Sequence, residues 1–87
     1  MSYRIVYSKQ AIKDSNKLKQ SPLATKAKVI LNLLQEDPFV SPPLFEKLVG
    51  DLEGAYSRRV NKQHRIVYQV YKKQQVVKIL RLWTHYE

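Results

Sequence analysis

An α+β domain, with two N-terminal helices packed on an antiparallel β-sheet in the order β-α-α-β-β-β, is the fold class this sequence predicts, and three observations predict it. Apolar residues recur at helical spacing only in the first half, between Lys9 and Glu36. From Ala55 onward, bulky and polar residues alternate in short runs separated by polar turn residues. Consecutive strands with short links form an antiparallel meander, and two helices must then cover one of its faces. With 87 residues, the chain is expected to be one domain spanning residues 1–87, with a core of modest size.

Each element has its own signal. Tyr3, Ile5 and Tyr7 alternate with Arg4 and Val6, the period of a short first strand. Ser8 reads as the cap of a first helix over Lys9–Lys19, whose apolar residues Ala11, Ile12 and Leu18 form only a narrow face. Ser21 followed by Pro22 marks the start of a second helix, with Leu23, Ala27, Ile30, Leu31 and Leu34 on one stripe. Pro38 disfavours helical geometry at Asp37, so this helix should end near Glu36. The stretch from Asp37 to Gly54 holds Pro38, Pro42, Pro43, Gly50 and Gly54, and reads as a long connection. Connections of this length in compact domains are often functional, which draws attention to Glu46, the one carboxylate between Asp37 and Asp51. Strands follow at Ala55–Val60, Arg65–Tyr71 and Val76–Trp83. The phase of the last is ambiguous, because Val77, Ile79 and Trp83 compete with Leu80 and Leu82 for the core.

The formal charge is +9, and between Glu53 and Glu87 there is no acidic residue at all. Arg58, Arg59, Lys62, Arg65, Lys72, Lys73, Lys78 and Arg81 all fall there, a one-sign surface suited to a polyanion such as nucleic acid. A membrane surface would attract the same charges, but the segment has a strand pattern and lacks an apolar insertion face. The chain contains no cysteine, and its two histidines lack supporting ligand spacing, so neither a metal nor another cofactor is expected. The first residues lack the apolar run of a signal peptide, and no segment approaches a membrane span, so the expected location is cytoplasmic.

The central hairpin, Tyr-Ser-Arg-Arg-Val-Asn-Lys-Gln-His-Arg-Ile-Val-Tyr from Tyr56 to Tyr68, carries the most specific information. If Asn61–Gln63 form its loop, Val60 lies opposite His64 and Arg59 opposite Arg65. Both guanidinium groups then leave one face, the opposite of the one on which Ile66, Tyr68 and Val70 pack against the helices. Like charges so placed repel, and an anion between them relieves the repulsion; forked guanidinium donors suit a phosphate. Two solvated arginines on an open face would fit the same pattern.

Together with the ending Arg-Leu-Trp-Thr-His-Tyr-Glu, this hairpin resembles the YoeB (Txe) toxins of the RelE superfamily, bacterial messenger-RNA endonucleases with a microbial-ribonuclease-like fold. The resemblance implies a metal-independent toxin that cuts messenger RNA in the ribosomal A site, is neutralised by a cognate antitoxin, and shares the dimeric state common among YoeB toxins. It also implies roles. Glu46 matches the general base, Arg65 the arginine that steadies the scissile phosphate, and His85 and Tyr86 the general acid and its companion. Arg59, Arg58, Lys62 and Arg81 are then the expected substrate contacts. Two departures stand out: the segment from the hairpin to His85 is about two residues longer than in the family's best-known member, which calls for a longer turn near Lys73, and Glu87 follows the tyrosine that often ends the chain.

The chemistry of the residues agrees with that assignment. RNA is cut without a metal when its own 2'-hydroxyl attacks the adjacent phosphorus, given a base to take that proton and an acid to protonate the leaving 5'-oxygen. A cation must also stabilise the charge that develops. Glu46, His85 and Arg65 supply one of each. A rival scheme pairs His64 with His85, but strand alternation turns His64 away from Arg65. A second rival is a non-catalytic binder of the same fold, either a gyrase-inhibiting toxin like ParE or a basic RNA-binding module.

Overall fold

The computed structural model describes residues 2–41, 44–50 and 54–85, with side chains through Leu82. Its elements run β1 (Arg4–Tyr7), α1 (Lys9–Lys19), α2 (Ala24–Glu36), β2 (Phe45–Lys47), β3 (Ala55–Arg59), β4 (His64–Tyr71) and β5 (Val76–His85). The five strands form one sheet in the order β1-β5-β4-β3-β2, and both helices lie on one side of it. Among the described residues, no helix is long and apolar enough to cross a membrane.

Local chemistry fixes α1 where the sequence places it and starts α2 two residues later than expected. The Ser8 hydroxyl accepts the Ala11 N–H at 3.0 Å and caps α1, a contact of about 1 kcal/mol. Ser21 accepts the Leu23 N–H at 3.0 Å and so closes a turn through Pro22 rather than capping the helix; α2 begins at Ala24, with Leu23 at its N-cap. Ala27, Ile30 and Leu34 of α2 meet Ile66, Tyr68, Val77 and Ile79 of the sheet in a closed core, each large side chain contributing about 1.5–3 kcal/mol. In α1 the buried positions are Ala11, Asp14 and Leu18, so a carboxylate occupies the middle of the inward stripe. That explains the narrow apolar face in the sequence, and Ile12 is 54% exposed rather than packed.

The sheet differs from the expected meander in two respects. It is mixed, because β1 pairs in parallel with β5, from Arg4 opposite Val76 to Tyr7 opposite Ile79. The long β5 thus has partners on both edges, and the two helices carry the chain from β1 at one edge of the sheet to β2 at the other. The connection after α2 also contains a strand, β2, antiparallel to β3 with Glu46 opposite Ser57. At three residues, β2 is too short to show a period of two.

The ambiguous phase of the last strand has a physical cause. From Tyr71 opposite Val76 to His64 opposite His85, eight residues of β4 face ten of β5. The pairing slips between Arg65 and Val67 and again between Val67 and Tyr68, so β5 bulges twice and changes face each time. Val77, Ile79 and Leu82 are all buried in consequence, a set that no single alternation contains. Length expected in a longer turn near Lys73 is thus taken up within the strand, and only residues 72–75 separate the paired Tyr71 and Val76.

Candidate active site

The hairpin between β3 and β4 has the register its sequence implies. The Asn61 side-chain oxygen accepts the N–H groups of Gln63 (2.8 Å) and His64 (2.7 Å), closing the loop. The Val60 N–H meets the His64 carbonyl, and Arg59 stands opposite Arg65. On the face away from the helices, Glu46 of β2, Ser57 of β3 and Val67 of β4 then lie in one cross-strand row. Arg65 reaches along that face. Its Nη1 donates to the Ser57 hydroxyl at 3.1 Å and lies 3.3 Å from Glu46 Oε2.

Burial divides this group unequally. The Arg65 side chain is 7% exposed and that of Glu46 58% exposed, so a solvent-accessible carboxylate sits beside a guanidinium held in a low-dielectric wall. Ser57, 1% exposed, supports the guanidinium from below. Nothing in the sequence alone marks it for a role. The available signal is its position directly opposite a carboxylate on the neighbouring strand and diagonal to an arginine, which appears only once β2 is known to exist.

The other expected site residues are distributed over both faces. Arg59 is exposed at the end of β3, opposite Arg65, and Lys62 is exposed in the hairpin loop. Arg58 is not brought to that pair. It stands opposite Ile66 on the helix-covered face and is fully buried, where Nε donates to Tyr68 Oη at 3.1 Å and Nη2 to the Pro38 carbonyl at 2.9 Å. Its guanidinium also lies over the Phe45 ring, 5.0 Å from the centroid. A substrate contact is therefore replaced by an internal one: Arg58 ties the connection after α2 and the start of β2 to the sheet, and so holds Glu46 in place. Burial pushes the Tyr68 phenol up, and the Arg58 hydrogen bond and charge partly oppose this.

Arg81 is likewise engaged inside the fold, with Nε 2.8 Å from Asp14 Oδ2 of α1. His85 is located by its backbone, which aligns with His64, while Thr84 aligns with Arg65. Tyr86 lies outside the described residues.

A family model described as the YoeB-like toxin of bacterial type II toxin–antitoxin systems matches residues 7–86. The chain belongs to this family. The fold of this YoeB-like toxin is shared by a YoeB/ParE toxin from Agrobacterium tumefaciens, at 25% identity and a TM-score of 0.85, over 95% of this chain and 99% of that one. It is shared also by YoeB in a heterotetrameric YoeB–YefM toxin–antitoxin complex from Staphylococcus aureus, at 30% identity and a TM-score of 0.81, over 99% of this chain and 100% of that one. The S. aureus YoeB dimer superposes as well, with 30% identity, a TM-score of 0.80 and the same coverage. No curated protein sequence matches the chain.

Proposed function

We propose that this YoeB-like toxin is a ribosome-dependent endoribonuclease that cuts messenger RNA in the A site by attack of the 2'-hydroxyl, and that a cognate antitoxin holds it inactive. The observation that carries this reading is the pairing of an exposed carboxylate, Glu46, with a buried, hydroxyl-supported guanidinium, Arg65, 3.3 Å away. In the free protein the two neutralise each other. Bound RNA separates their tasks: Glu46 takes the proton of the 2'-hydroxyl, and Arg65 turns its donors to the phosphate.

Arg65 suits that role because it is already desolvated. A cation in a low-dielectric wall stabilises a developing phosphorane charge more strongly than one in water, and needs no reorganisation during reaction. Ser57 fixes the direction of one of its donors. His85 is the group that protonates the departing 5'-oxygen, with Tyr86 as its companion at the site. Arg59 and Lys62 neutralise neighbouring phosphates of the strand. Base and acid each contribute about 10² to 10⁴ in rate. Since the nucleophile belongs to RNA, DNA is bound and left intact.

The partners follow the same reasoning. The S. aureus complex with YefM supports an antitoxin as the protein partner here, acidic enough to complement a charge of +9. The S. aureus YoeB dimer supports self-association. The ribosome and its messenger are in the cytoplasm, where the toxin acts.

The deciding experiment incubates the protein with programmed ribosomes in EDTA, beside His85→Ala, and maps the messenger ends. Cleavage leaving 2',3'-cyclic phosphate and 5'-hydroxyl ends, absent with the variant, is the expected result. A 5'-phosphate would exclude attack by the 2'-hydroxyl, and no cleavage by folded protein would point to a non-catalytic binder, tested next on gyrase.

A further inference from the structure

Asp14 is the one carboxylate on the buried stripe of α1, and it is 1% exposed. A charge so placed is costly unless it is fully bonded. Its Oδ2 accepts the Leu82 N–H at 3.0 Å and Arg81 Nε at 2.8 Å, and its Oδ1 accepts Gln10 Nε2 at 3.2 Å. Leu82 is itself buried, at 2% exposure, and lies where the β4–β5 pairing slips between Arg65 and Val67. A bulge leaves a strand N–H without its ladder acceptor, and a buried N–H must find one. Asp14 supplies it.

The other irregularity is also held from α1. The N–H of Ser8, the helix cap, donates to the Ile79 carbonyl at 2.9 Å, and its hydroxyl donates to the Leu80 carbonyl at 2.8 Å. One helix therefore grips β5 at residues 79, 80 and 82, around the point where two surplus residues are inserted. Beyond that grip, Thr84 falls opposite Arg65 and His85 opposite His64. If the bulge at Leu82 relaxed into regular pairing, every later residue would advance by about 3.3 Å and change face.

We propose that Asp14 is a positioning residue that holds the Leu82 bulge of β5 and thereby sets the register of the strand end, Thr84 opposite Arg65 and His85 opposite His64, on which the placement of His85 depends. The catalytic consequence rests on the nuclease reading above; the register itself does not. A shift of about 3.3 Å with a change of face removes the acid from its place, so loss of the register should reach kcat as loss of an acid does, about 10² to 10⁴-fold, while substrate binding, which depends on other residues, stays intact.

Three full-length variants test this. Asp14→Ala removes the acceptor. Asp14→Leu also removes it, while filling the space with a good helix former. Asp14→Asn retains a side-chain oxygen for the Leu82 N–H. Each is followed by amide exchange at Leu82, by nuclear Overhauser contacts across the 64–85 and 65–84 pairs, and by ribosomal cleavage kinetics. Asp14→Ala and Asp14→Leu are expected to lose the Leu82 protection and both cross-strand contacts, with kcat down about 10² to 10⁴-fold and KM within about twofold. Asp14→Asn should keep both contacts and most of kcat. Folded Ala and Leu variants that keep the register, or lose it without loss of kcat, overturn the proposal. So does failure of both to fold while Asp14→Asn folds, which would make Asp14 a requirement of the fold alone. If the wild-type protein cleaves no RNA, the nuclease reading fails, and the exchange and contact measurements still decide whether Asp14 sets the register.

Discussion

Arg58 and Arg59 are adjacent in sequence and should behave as opposites when replaced. Arg58 is fully buried and makes hydrogen bonds to Tyr68 Oη and the Pro38 carbonyl while covering Phe45. Hydrogen bonds to a charged group contribute about 1.5–3 kcal/mol each, and a desolvated cation–π contact about 2 kcal/mol. Arg58→Ala forfeits all three and leaves a cavity, but the guanidinium no longer has to be desolvated. The net cost should be about 3–5 kcal/mol, the range for breaking a buried charged interaction by removing one member. At about 4–8 °C per kcal/mol for a domain of this size, Tm falls by at least about 12 °C. Arg58→Met, which keeps the volume, should lose less, because Tyr68 Oη still donates to the Pro38 carbonyl at 3.1 Å. Arg59 is exposed, so Arg59→Ala should shift stability by no more than about 0.5 kcal/mol and lower the salt slope of RNA binding by about one unit. Circular-dichroism melting and salt-dependent RNA titration measure both. An Arg58→Ala protein as stable as wild type but deficient in RNA binding would refute the assignment of this arginine to the interior.

Glu46→Gln removes the proposed base and little else: its side chain is more than half exposed, so the ion pair contributes at most about 1 kcal/mol, while kcat in the ribosomal assay should fall about 10² to 10⁴-fold. Ser57→Ala leaves Arg65 short of one acceptor and should cost about 1 kcal/mol in denaturant melts, with a decrease in kcat larger than any increase in KM. Alkaline pH should destabilise the fold. Burial raises the Tyr68 pKa above its usual value near 10, so above pH 10 the unfolded chain loses that proton first, ν for the native state exceeds ν for the unfolded state, and stability declines with rising pH. Tyr68→Phe should flatten that decline in urea titrations between pH 9 and 11, leaving a residual slope from Tyr7, whose pKa burial also raises.

The sequence carried the hairpin almost completely, because its determinants are local: an asparagine that closes its own loop and alternation on either side of it. The same register also contained the fate of Arg58, since a residue opposite Ile66 must share the helix-covered face. Motif reading grouped it with Arg59 as a surface cation; pleat geometry separates the two. What the sequence could not show is non-local. Pairing of β1 with β5 joins strands separated by most of the chain, and a three-residue strand such as β2 is defined by its partner rather than by its own pattern. Asp14 looked like a polar interruption of a weak helix because the N–H it satisfies is 68 residues away.

His64 shows how these two kinds of information meet. Local alternation sets it on the face opposite Arg65, whose side chain extends to Ser57 and Glu46. Non-local pairing aligns its backbone with that of His85. An acid–base pair of two histidines would use the second fact, but the carboxylate that already stands beside the Arg65 guanidinium is Glu46, 3.3 Å away. His64→Gln should therefore leave the single-turnover cleavage rate within about threefold of wild type, far from the 10² to 10⁴-fold loss typical of removing an acid or base. A loss equal to that of His85→Ala would transfer the role of base from Glu46 to His64, and the exposed carboxylate beside Arg65 would then serve to orient the guanidinium.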